Sequence, residues 1–274
     1  MDKILIGIAV SLAALAVILI AVYLFVLVRP TKKTKPSKVL LCDYAHRGLH
    51  NGKDAPENSL AAFEAACGAG YGIELDVQLS RDGKVMVFHD YTLVRMTGCD
   101  KKLCELDAEE LTSITLGESD QKIPTFEQVL DLVNGRVPLL VELKGENFDT
   151  SLCAKVADML RDYKGAYCLE SFNPLLIGNM KKQMPEIFCG LLYTNVCRDK
   201  KKNSALNMAL TAMALNVVAK PVFIAFNKQD RDSLPVKITT RLYKAPKFVW
   251  TVNKQVELDT AHKNGELPIF ENIF

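Results

Sequence analysis

The chain has one tryptophan and four histidines, and its eight cysteines never gather into two closely spaced pairs. Cys99 and Cys104 are a close pair, but no second pair follows them, so nothing points to a structural zinc site. There is no internal repeat and no low-complexity tract, which removes solenoids and biased tails from consideration. A basic surface is also missing. Residues 39–274 carry 28 Lys and Arg against 31 Asp and Glu, whereas a nucleic-acid binder keeps a positive footprint. The cysteines lie mostly within apolar stretches such as LLCDY, EAACGAG and YCLES, where reduced thiols behave as small hydrophobes.

Charge is absent from residues 4–28, ILIGIAVSLAALAVILIAVYLFVLV. Twenty-five such residues are enough for a helix to cross a hydrocarbon layer of about 30 Å. A cleaved signal peptide has an apolar region of about 7–15 residues followed by small residues. Here the run ends in aromatic and branched residues before Arg29 and Pro30. Residues 1–28 therefore read as an uncleaved, single-pass anchor. Arg29, Lys32, Lys33, Lys35 and Lys38 follow the run, against Lys3 and the amino terminus before it, and the positive-inside rule puts the following domain in the cytoplasm. Residues 29–38, RPTKKTKPSK, read as a short extended linker that keeps residues 39–274 near the bilayer.

From Val39 onward, apolar strand-like runs alternate with amphipathic helical ones, the pattern of an α/β fold with parallel strands. A domain of this size suits one (β/α)8 TIM barrel. The strand candidates are 39–46, 72–77, 85–89, 137–143, 166–172, 187–193, 222–226, 247–252 and 268–274. That is nine for an eight-strand barrel. Either QLSRDGK returns along the wall in extended form or the last segment is not a strand. Asn58 is the expected cap of the helix SLAAFEAACGAG, and 203–220 reads as one packed helix.

The stretch from Ala45 to Asp90 holds the densest chemistry. His46 and Arg47 follow one apolar run, Glu74 and Asp76 lie in the next, and His89 ends the third. Imidazoles titrate near neutrality and suit proton transfer. Carboxylates at i and i+2 on a strand point the same way, so Glu74 and Asp76 suit one hard cation. Glu142 closes LLVEL as a third oxygen ligand, making a site for one divalent cation, Ca2+ or Mg2+. Arg47 and Lys144 are phosphate contacts by charge and placement. His50 and His262 carry no motif and read as surface residues.

These residues sit in an ordered set: HRG (46–48), PENS (56–59), ELDV (74–77), VMVFHD (85–90), IPTFEQVL (123–130), LLVELKG (139–145), SFNP (171–174) and VWTVN (249–253). In this the chain resembles the glycerophosphodiester phosphodiesterase family over residues 42–255. The resemblance implies a phosphodiesterase-type barrel and hydrolysis of glycerophosphodiesters to glycerol 3-phosphate and an alcohol. It also implies His46 and His89 as the acid–base pair, Trp250 against the substrate, and Glu57 supporting the metal or His46. A membrane setting extends the substrates to lysophospholipids. A lyase stopping at a cyclic phosphate, a lysophospholipase D and an inactive tethered binding module are the alternatives. Family members usually end in a strand with a Thr-Asp pair, where this chain has Glu271 and Asn272, and that puts the last strand's contacts in question.

Overall fold

The computed structural model describes residues 2–31, 34–145 and 149–273; Lys32 and Lys33 of the expected linker and Phe274 of the last expected strand lie outside them. The strands are β1 (Tyr44–Ala45), β2 (Gly72–Leu79), β3 (Val85–Val87), β4 (Leu139–Leu143), β5 (Tyr167–Ser171), β6 (Cys189–Tyr193), β7 (Phe223–Asn227), β8 (Lys247–Val252) and β9 (Leu267–Phe270). Eight of them run parallel in the order β1, β2, β4, β5, β6, β7, β8, β9, and β9 pairs back onto β1 to close the barrel. The ninth is β3, antiparallel to β2. QLSRDGK therefore makes a hairpin and does not cross the wall, which corrects that expectation and accounts for the surplus strand. The hairpin closes through Ser80, whose backbone amide donates to Lys84 O.

The first strand is shorter than the sequence suggests. Lys38–Leu40 form a 3-10 turn, and Tyr44 Oη donates to Leu40 O at 3.0 Å. Leu40 then joins Tyr44, Phe188, Phe223 and Phe248 in the apolar plug inside the barrel. A second, larger apolar layer lies between strands and helices. The helix Leu60–Ala69 is capped by Ser59, whose hydroxyl accepts from Ala62 N at 3.1 Å. Asn58, the expected cap, is used elsewhere. The run 203–220 is also not one helix: Ala205–Thr211 and Asn216–Ala219 are separated by a turn with Met213 in the left-handed region.

At the amino terminus, a helix over Asp2–Val22 continues through a wider turn at Tyr23–Leu27. It is long and apolar enough to cross a membrane. Its last turns rest on the barrel wall, where Val28 is fully buried and Tyr243 Oη donates to Leu24 O at 2.5 Å.

Candidate active site

Parallel register builds a row of acids. Asp76 on β2 aligns with Glu142 on β4, and Glu142 aligns with Glu170 on β5. Aligned residues of neighbouring strands face the same side, so all three point into the barrel, with Glu74 one layer beneath. Glu74, Asp76, Glu142 and Glu170 are all buried. Ligand oxygens of Glu74, Asp76 and Glu142 lie within 4.8 Å of one another. Hard oxygen donors at that spacing fit Ca2+ or Mg2+. Their protonation behaviour agrees with the fit. Burial, with Asp76 and Glu142 nearby, pushes Glu74 well above the usual carboxylate range, and burial lifts Glu142 to about 7. Asp76 goes the other way: against the cost of burial, Lys144, His89 and Arg47 hold it far below that range.

Lys144 Nζ lies 3.0 Å from both Asp76 Oδ1 and Glu142 Oε1. Arg47 follows β1 in a left-handed turn, which aims its backbone N–H at Glu74 Oε2 at 2.8 Å. Only glycine fits after it, because Gly48 has φ +81° and a Cβ there would sit 2.9 Å from Ala62. The Arg47 guanidinium has Nη1 on Glu57 Oε1 at 2.8 Å and Nε 3.6 Å from Asp76 Oδ2. That Nε is buried and makes no hydrogen bond among the described residues. It is a donor held in reserve, as a phosphate contact requires. The Glu57 carboxylate is taken by Arg47 and Arg95, so its support goes to Arg47 and not, as expected, to the metal cluster or His46. Asn58, also left-handed, donates from Nδ2 to Asp76 Oδ2 at 2.8 Å.

Both histidines are held from behind by carboxylates. His46 Nδ1 meets Glu271 Oε2 at 2.7 Å, and His89 Nδ1 meets Asp90 Oδ1 at 2.5 Å. Each ring thereby leaves Nε2 for the cavity; that of His46 is 4.0 Å from Glu74 Oε2. Burial lowers both imidazoles below their ordinary value, the Glu271 and Asp90 hydrogen bonds working against it. The hydrogen bond from His46, with His50 nearby, holds Glu271 below the carboxylate range. His50 is therefore no ordinary surface residue: its Nε2 lies 3.8 Å from Glu271. His262 is exposed and meets Asp43 at 2.9 Å. The His89 loop is fixed by Gln78 Nε2, which donates to Phe88 O at 2.8 Å and Asp90 O at 2.8 Å.

His46, Arg47, Glu74, His89, Glu142 and Trp250 line one cavity with Glu170 and Phe172. Trp250 Nε1 donates to Ala225 O, and its ring meets Phe172 edge-on at 5.6 Å. Sequence reasoning passed over Glu170, took Asn58 for a cap, noted Asp90 beside His89 without giving it a role, and saw Glu271 only as a departure from the family's usual ending. For Glu170 a signal existed: YCLESF places a carboxylate at the same strand-end position as LLVEL.

A sequence model of the Glycerophosphoryl diester phosphodiesterase family matches residues 46–272. Among curated relatives, a glycerophosphodiester phosphodiesterase of Caldanaerobacter subterraneus subsp. tengcongensis is 34% identical over 160 residues, covering 54% of this chain and 65% of the relative. The chain spans about half to two thirds of the length of the first such relatives. Among solved structures, an Oleispira antarctica phosphodiesterase in complex with the product sn-glycerol-3-phosphate aligns with a TM-score of 0.69 at 24% identity, covering 84% of this chain and 92% of that one. A glycerophosphodiester phosphodiesterase from Thermotoga maritima aligns at 0.63 and 26% identity, covering 84% and 94%.

Proposed function

Because the chain belongs to the glycerophosphoryl diester phosphodiesterase family, we propose that it hydrolyses glycerophosphodiesters to glycerol 3-phosphate and an alcohol, with one Ca2+ or Mg2+ bound. The observation that carries this reading is the pair of imidazoles, each held at Nδ1 by its own carboxylate, on a cavity that also holds Arg47 and three clustered acids. One histidine takes the proton of the attacking hydroxyl as its oxygen bonds to phosphorus. The other gives a proton to the departing alcohol oxygen as the P–O bond breaks. If the attacker is the substrate's own glycerol hydroxyl, the product is a cyclic phosphate, which water then opens with the two histidines in exchanged roles.

Glu74, Asp76 and Glu142 would hold the cation, which when bound neutralises phosphate charge. Arg47 Nε and Lys144 would grip the phosphate oxygens, with Glu57 keeping the Arg47 side chain in place. Trp250 and Phe172 would form the apolar side on which the substrate rests. The N-terminal helix favours a second substrate class, lysophospholipids, since its residues up to Val22 would cross a bilayer, while residues 23–31 rest on the barrel wall and not, as expected, in the span or at its edge. The basic flank after it favours a cytoplasmic domain.

Glycerol 3-phosphate release from a panel of glycerophosphodiesters, with Ca2+, Mg2+ or EDTA, tests the reading. Release that requires a cation, and that falls by about 100- to 10,000-fold in His46→Ala and in His89→Ala, is the expected result. Undiminished release in EDTA, or in either variant, would overturn it. A cyclic phosphate as the only product would assign a lyase, and choline release from lysophosphatidylcholine a lysophospholipase D.

A further inference from the structure

A ladder of hydrogen bonds fixes how the N-terminal helix leaves the barrel. Tyr23 Oη donates to Ala212 O at 3.0 Å, Asn216 Nδ2 to Val28 O at 2.7 Å, and Thr31 N to Pro221 O at 2.8 Å. The barrel partners descend in order. Thr211, beside Ala212, accepts from the hydroxyl of Tyr193, the residue that ends β6 at the site end of the barrel. Pro221 lies just before β7 begins at Phe223, at the opposite end. From Tyr23 to Thr31 the chain thus runs away from the site end. Traced backwards, the helix leaves the wall towards it. A bilayer crossed by that helix lies on the side to which the cavity opens.

The surface on that side fits such a neighbour. Between β6 and β7, Lys200, Lys201 and Lys202 are exposed, and none forms a salt bridge among the described residues. The helix that follows, Ala205–Thr211, exposes Leu206 (61%) and Met208 (52%). Leu234, 66% exposed, stands on the next connection, which the Arg198–Asp230 ion pair at 2.6 Å ties to the same loop. Protruding apolar side chains beside lysines match acyl chains beneath anionic headgroups.

We infer that Lys200, Lys201 and Lys202 with Leu206, Met208 and Leu234 seat the barrel on an anionic lipid bilayer, site end down, so that the cavity faces the headgroup layer and takes phosphodiesters from the membrane surface. This rests on the reading of the N-terminal helix as a span. The full chain is reconstituted into phosphatidylcholine–phosphatidylglycerol vesicles with brominated acyl chains, in a Trp250→Phe background carrying either Leu206→Trp or, at the opposite end of the barrel, Lys164→Trp. Retained circular dichroism establishes folding, and Met208→Trp serves as a second probe of the same face.

The indole at position 206 or 208 is expected to lose roughly half of its emission, the depth at which interfacial side chains sit, and that at 164 almost none. Adding Lys200→Glu, Lys201→Glu and Lys202→Glu is expected to bring the first value down towards the second. Protein that resists carbonate extraction yet shows equal quenching at both ends, or none at 206 and 208, overturns the docking and leaves the span standing. Protein released by carbonate overturns both, while hydrolysis of a water-soluble glycerophosphodiester by the unsubstituted chain still reports on the catalytic reading.

Discussion

Glu271, the residue after the last strand, meets His46, and it does so where the chain departs from its family's usual ending. Its carboxylate accepts from Nδ1 at 2.7 Å, fixing the tautomer and favouring the imidazolium. Glu271→Gln keeps the shape and removes the charge. Turnover is expected to fall by about 10- to 100-fold with KM little changed, as for other supports behind a reacting group. Because the lost interaction raised the His46 pKa, the acid limb of the rate profile should move to lower pH. A profile identical to wild type would show that Glu271 only packs. At Glu142 the sign runs the other way. Its folded-state pKa, about 7, lies above its ordinary value of 4.5, so the folded chain binds more protons between those values, and the metal-free protein should lose stability as pH rises through that window. A divalent cation competes for the same oxygens. Thermal stabilisation by Ca2+ or Mg2+ should therefore be greater at pH 8 than at pH 5, reaching about 2.7 kcal/mol at a hundredfold excess over Kd. Equal gains at both values, or gains retained in Glu142→Gln, would remove Glu142 from the metal site. The clustered acids Glu74, Asp76 and Glu142 and both histidines stand out in the sequence because they lie within or at the ends of apolar runs at motif positions. Glu271 does not: its partner is 225 residues away and only closure of the barrel brings them together.

Among the elements, the strands were easier to find than their directions. VMVF is as apolar as a parallel barrel strand, and only the turn Ser80–Lys84, too short to cross the wall, makes β3 an antiparallel hairpin arm. That arm, Val85–Val87, leads directly towards His89, so the hairpin carries a catalytic candidate without belonging to the parallel barrel. The break within 203–220 was hidden for another reason: no glycine or proline marks it, and Met213 takes the left-handed region itself. Strand packing gives a sharper test at Gly190 on β6. A Cβ there would meet the Phe223 ring at 2.2 Å within the apolar plug. Gly190→Ala should destabilise the barrel by about 1–3 kcal/mol through overpacking, read as a lower urea midpoint. Pairing it with Phe223→Leu should recover part of the loss. An unchanged midpoint for the single variant would mean that Phe223 moves aside at no cost.

For the whole molecule, the amino-terminal segment belongs both to the barrel wall and to the apolar helix. Composition could not separate these roles, since Tyr23 and Val28 look alike whether they face lipid or protein, and RPTKKTKPSK reads as a free tether. Val28 is fully buried, Tyr23 packs against the main apolar layer, and Asn216 Nδ2 donates to Val28 O. A chain beginning at Val39, the natural choice for a soluble domain, uncovers that wall. Loss of the Val28 side chain costs about 1.5–3 kcal/mol, and leaving the Asn216 amide without its acceptor adds about 1 kcal/mol where water reaches it. A chain beginning at Val22 keeps both contacts and omits nearly all of the exposed apolar helix. The shorter protein should unfold at a urea concentration lower by about 1 M or more, given slopes of about 1–3 kcal/mol per molar for small domains. Asn216→Ala in the Val22 form should move its midpoint part of the way towards that of the Val39 form. Coincident midpoints for the two truncations would mean that the wall contacts contribute nothing to stability, and the direction in which the helix leaves the barrel would then lose its energetic basis.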